Sequence, residues 1–87
     1  MIAYRWIVAD DATRILDVLT RRQRAVLFRH FDHIGAFPEQ PAERESGAGR
    51  HPARRVKMFG SWRITWWVDS PVKEVHILDI EKAQRGV

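Results

Sequence analysis

There is no cysteine in this chain, so neither a disulfide nor a thiolate-bound metal can reinforce it. No apolar run approaches the length of a membrane span. The stretch from Met1 to Asp10 carries an arginine inside its apolar residues and soon turns acidic, unlike an export signal. These absences predict a cytoplasmic protein with no membrane association. Internal repeats and low-complexity tracts are also missing, which excludes a repeat architecture. Lysine is scarce, since 12 of the 15 basic residues are arginine. Arginine suits bidentate phosphate contacts, although a GC-rich coding sequence gives the same ratio. The most informative absence is local. Between Glu45 and Asp69 there is no acidic residue, whereas Arg50, Arg54, Arg55, Lys57 and Arg63 all fall there. In a chain of net charge +4, that patch favours an anionic partner.

What is present is globular. With 45% hydrophobic and 30% charged residues, the 87-residue chain is expected to fold as a single domain over residues 1–87. Its core is small, so its stability margin is thin.

Ile2 to Val8 alternates as a strand, with Ile2, Tyr4, Trp6 and Val8 on one face. Asp10 or Asp11 is placed to cap a helix whose Ala12, Ile15, Leu16 and Leu19 make one apolar stripe. Thr20 to Arg22 then forms the tip of a helical hairpin. A second helix over about Arg22 to Ile34 buries Leu27, Phe31 and Ile34, with Gly35 as its C-cap. Pro38 to Pro52 lacks periodicity and is expected to be a loop. Three strand signals follow: Arg55 to Phe59, Trp62 to Asp69 and Val72 to Ile80, the last apolar on both faces and so interior to the sheet. The order β-α-α-β-β-β predicts an α+β fold, a mostly antiparallel four-stranded sheet with the helical hairpin on one face.

Alternation also predicts a register. If Val56 and Met58 are core, a three-residue turn over Phe59, Gly60 and Ser61 pairs Met58 with Trp62. Lys57 then lies opposite Arg63 and Arg55 opposite Thr65, so all three cations share the face away from the helices. Trp62 and Trp66 are expected in the core, and Trp67 on the opposite face.

The run Arg55-Val-Lys-Met-Phe-Gly-Ser-Trp-Arg-Ile-Thr-Trp-Trp-Val-Asp69 is a basic strand, a Gly turn, an aromatic–Arg–aliphatic triplet and an aromatic strand closing on an acid. With the hydrophobic strand Val75-His-Ile-Leu-Asp-Ile80, it resembles the RelE/ParE family of toxins from type II toxin–antitoxin systems. RelE-like members are metal-independent endoribonucleases that cut mRNA on the ribosome, and ParE-like members inhibit DNA gyrase. Either kind is held inactive by a cognate antitoxin in a hetero-oligomer. The resemblance implies no cofactor and no metal.

Metal-free RNA cleavage needs a proton acceptor for the 2′-hydroxyl and cations for the charge that builds on phosphorus. The resemblance places those roles on Arg63 as phosphate clamp, Lys57 for proton transfer and Arg55 as a phosphate contact. Arg50, Arg54 and His51 near the basic strand, with Lys82 and Arg85 in the tail, are the further expected nucleic-acid contacts. Trp67 could stack a base or anchor the antitoxin. The bland reading is that the cations solubilise a sheet face and that the loop histidine is merely exposed. His30 and His33, spaced i, i+3, make a poor metal site without other ligands. One feature departs from the ribonuclease pattern. Ala83 falls where such nucleases carry an arginine, and no aromatic follows Ile80. That departure keeps two alternatives open, a gyrase inhibitor and a homologue that retains only antitoxin binding.

Overall fold

The computed structural model describes residues 3–46 and 53–83. Its elements are β1 (Arg5–Val8), α1 (Asp10–Asp17), α2 (Arg21–Ala36), β2 (Arg44–Ser46), β3 (Arg54–Phe59), β4 (Trp62–Asp69), a 3₁₀ turn (Ser70–Val72) and β5 (Glu74–Lys82). The strands form one sheet in the order β1-β5-β4-β3-β2. Only β1 and β5 run parallel, and every other pair is antiparallel. The expected α+β architecture is present, with β5 in the sheet interior. The one addition is β2, an edge strand inside the segment expected to be loop. It pairs Arg44 with Val56 and Ser46 with Arg54. Three residues are too few to show a period, so only the pairing reveals it.

Helix α1 buries Ala12 and Leu16, and Ile15 and Leu19 pack beside them. Its N-cap is Ala9, without a side-chain bond, not Asp10 or Asp11. Those two acids occupy the first turn instead, where they complement the helix dipole. Helix α2 opens with a capping box: the Gln23 amide donates to Thr20 Oγ1 (3.1 Å) and the Thr20 amide donates to Gln23 Oε1 (3.0 Å). Its C-cap is Phe37, so Gly35 lies inside the helix and does not end it. Gly35 is there for close approach. The Tyr4 amide donates to its carbonyl at 2.8 Å, and a Cβ at position 35 would lie 2.5 Å from the Tyr4 carbonyl oxygen.

Leu27, Phe31 and Ile34 of α2 meet Phe59, Trp62, Ile64, Trp66, Val75, Ile77 and Ile80 of the sheet in one core. No polar or charged residue among those described is buried. Ile77 and Ile80 both face this core despite odd spacing, because a bulge shifts the β4–β5 register between Thr65 and Trp66. The bulge explains why β5 reads as apolar on both faces.

The β3–β4 hairpin corrects the expected register. Its turn has two residues, so Phe59 pairs with Trp62, Met58 with Arg63, Lys57 with Ile64 and Arg55 with Trp66. Gly60 has φ 61° at the first turn position, which is where a type II′ turn needs glycine. Phe59, only 7% exposed, is the core residue of β3, and Val56 and Met58 are half-buried on the other face. A full aromatic ring outweighs two smaller apolar side chains in choosing which face turns inward.

Candidate nucleic-acid interface

One slip of a single residue moves every side chain of β3 to the other face. Arg55 and Lys57 therefore lie on the helix side of the sheet, and Arg63 lies on the open side. The three cations do not share a face, and Lys57 is not opposite Arg63. The predicted three-cation centre is not assembled.

Each cation has its own surroundings. Lys57 Nζ donates to Gln40 Oε1 at 2.8 Å and lies 5.4 Å from the centre of the Phe59 ring. Arg55 Nη1 donates to the Gln40 carbonyl at 3.0 Å. The two cations thus hold the segment after α2, which Trp66 Nε1 also binds through the Pro38 carbonyl (3.1 Å). Beside them, Tyr4, His33, Phe37, Pro38, Pro41 and Lys57 line a mostly apolar groove of about 700 Å³. Gln40 was not visible as a site residue, because an amide in an aperiodic loop gives no pattern.

On the open face β3 and β4 present Arg54, Val56, Met58, Arg63, Thr65 and Trp67. This side regroups two expected phosphate ligands with the expected stacking residue. Arg63 Nη1 is 3.4 Å from Glu81 Oε2, with both side chains about half exposed at 49% and 58%. Such a pair contributes at most about 1 kcal/mol, so a phosphate can take Arg63 from it. Glu81, Lys82 and Ala83 complete a polar recess of about 530 Å³ around Arg63. Lys82 itself leans over the Trp62 ring at 5.8 Å. Trp67 is half-buried, not free: its ring stacks on His76 at 4.3 Å and 6°. The adjoining strand β5 is acidic on this side, with Glu74, Asp79 and Glu81 paired to β4 residues of the same face. On β3, β4 and β5 the positive charge of this face therefore belongs to β3 and β4, while Arg5 of β1 is paired with Glu74. Arg50, His51 and Arg85 lie outside the described residues.

The histidines of α2 sit on the helix side. His30 and His33 approach the Phe59 ring at 5.5 and 6.3 Å. Burial, with the neighbouring His33 charge second, lowers the His30 pKa below its ordinary 6.5. The folded chain then resists a proton that the unfolded chain accepts, so stability falls as pH drops through 6.5. Thermal melts at about pH 7.5 and about pH 5.5 should show this fall, and His30→Gln should shrink it. An undiminished fall in the variant would assign the effect to other groups.

No family model matches the sequence. No curated protein matches it either. Solved structures match over nearly its whole length. A chain of the archaeal RelE–RelB complex from Pyrococcus horikoshii OT3 superimposes with a TM-score of 0.74 at 15% identity, covering 98% of this chain and 100% of that one. A chain of the Mycobacterium tuberculosis toxin–antitoxin complex RelBE2 gives 0.71 at 23% identity, covering 94% and 93%. The isolated E. coli RelE toxin gives 0.67 at 16% identity, covering 97% and 88%. The chain has the fold of the RelE toxins.

Proposed function

We propose that this chain is the toxin of a toxin–antitoxin module, related to RelE, that acts in the cytoplasm by cutting mRNA at the ribosome without a metal in the reaction. A cognate antitoxin holds it inactive. The observation that supports this reading is the whole-chain likeness to RelE toxins, seen both alone and in toxin–antitoxin complexes. The open face of β3 and β4 is the RNA surface in this reading. Arg63 and Arg54 contact phosphate there, and Trp67 offers its ring edge beside them. Lys57 and Arg55, on the helix side, act as struts for the segment after α2.

The separation of Lys57 from Arg63 favours a second reading. Without a lysine beside the arginine, the chain would bind its antitoxin and lack nuclease action, or bind gyrase as its target. Primer extension on ribosome-bound mRNA after induction separates these readings. New ends within coding sequence, suppressed by the co-expressed antitoxin, are the expected result. Loss of gyrase supercoiling with intact mRNA would select the gyrase reading, and antitoxin binding with neither effect would select the binding-only homologue. Harmless expression with no protein partner would overturn all three.

A further inference from the structure

The β4–β5 turn brings together three side chains that the proposed function does not use. Asp69 and Glu74 are paired across the turn, and His76 is two residues beyond Glu74 on the same face. His76 Nε2 lies 3.8 Å from Asp69 Oδ2 and 3.7 Å from Glu74 Oε1, and one ligand atom from each of the three lies within 4.8 Å of the others. Both separations exceed hydrogen-bond reach. His76 Nε2 is nevertheless buried, and it has no hydrogen-bond partner among the described residues. A buried ring nitrogen facing two carboxylates without bonding to either is the mixed nitrogen and oxygen donor set of a transition-metal site.

We propose that Asp69 Oδ2, Glu74 Oε1 and His76 Nε2 bind a divalent transition cation of the zinc class. Metal–ligand bonds of about 2.0–2.1 Å in a tetrahedron place ligand atoms about 3.3–3.4 Å apart, so each carboxylate moves about 0.4 Å toward His76 and the two carboxylates close from within 4.8 Å of each other. Imidazole with carboxylates selects zinc-like ions over magnesium or calcium, which prefer oxygen alone. Three protein ligands leave a fourth position for water, and the partial exposure of Asp69 and His76 gives it access. The surroundings fix the ligands. Arg5 Nη2 donates to Glu74 Oε2 at 2.6 Å, which turns Oε1 toward His76 and links the site to β1. Trp67 stacked on the His76 ring prevents it from swinging away. The competing arrangement is a direct contact between His76 and the two carboxylates with no ion, and the titration below decides between them. The site departs from the expectation of a metal-free chain, and it does not depend on the toxin reading. It lies at the β4–β5 turn on the open face, beyond Trp67 from Arg63, and the proposed cleavage assigns it no step.

Calorimetric titration of Zn²⁺ into the chelator-stripped full chain tests it. One ion per chain is expected, with affinity falling in Asp69→Asn and His76→Gln by more than the roughly tenfold that loss of an outer partner causes. His33→Gln should bind as wild type does, which excludes the His30–His33 pair. Cu²⁺ should quench tryptophan emission in wild type, and Trp67→Phe should remove most of that quenching. Should His76→Gln fail to fold, the near-isosteric Asp69→Asn decides alone. No binding by wild type, or unchanged affinity in Asp69→Asn, would overturn the proposal.

Discussion

Trp66→Ala is expected to leave the chain largely unfolded at room temperature. Trp66 is fully buried and packs against Phe59 with ring centres 5.9 Å apart. It sits beside the β4–β5 bulge, where its loss exposes a register that already carries one irregularity. Truncating a buried tryptophan costs about 3–5 kcal/mol through lost transfer energy and the cavity left behind. A chain of this length has roughly 4–13 kcal/mol in total, at about 0.05–0.15 per residue. Its core is small, which places it toward the lower end of that range. The substitution also removes the donor to the Pro38 carbonyl, releasing the segment that Lys57 and Arg55 hold through Gln40. Trp66→Phe keeps most of the volume and loses only the N–H, so it should cost about 1–2 kcal/mol. Denaturant unfolding followed by circular dichroism measures both, with Trp67→Ala as the open-face comparison. A Trp66→Ala chain within about 1 kcal/mol of wild type would contradict the packing of β4 against the helices.

The core of this fold was legible because period and volume agree there. Ala12 and Leu16 on α1, and Trp62, Ile64 and Trp66 on β4, follow their stripes without exception. The site was less legible because its geometry hangs on one residue. Val56 and Met58 suggest one inward face for β3, and Phe59 suggests the other. Alternation alone weighs two apolar residues above one. Packing decides otherwise, because the Phe59 ring fills the space beside Trp66 and the His30 and His33 rings. The long stems of Arg55 and Lys57 tolerate that face by carrying their charges out to Gln40. Gly35 was misread for a similar reason. A glycine near a helix end signals a cap, while the Tyr4 backbone that actually demands it is 31 positions away in sequence. The Asp69–Glu74–His76 cluster had a readable cue, since two residues across a turn and a third at i+2 share a face, but only coordinates show the ring nitrogen left unbonded.

Under the proposed ribonuclease reading, Arg63→Ala is expected to lower mRNA cleavage by about a hundredfold, and Lys57→Ala to change it little. Removing one preorganised cation from a charge-building transition state costs on the order of 3 kcal/mol. Arg63 can supply that stabilisation because its only described partner is the exposed Glu81, a pairing too weak to withhold it from phosphate. Lys57 faces the other way and is occupied by Gln40 and Phe59, so its loss should appear as reduced stability of the segment after α2. Arg54→Ala, on the same face as Arg63, should weaken RNA binding with a smaller effect on the chemical step, because an exposed arginine at the strand start positions substrate. Growth arrest at matched expression and primer extension together read these outcomes, and antitoxin co-purification confirms that each variant is folded. The two faces make opposite forecasts. If Lys57→Ala abolishes cleavage while Arg63→Ala retains it, the RNA surface is the helix-side groove and not the open face of β3 and β4.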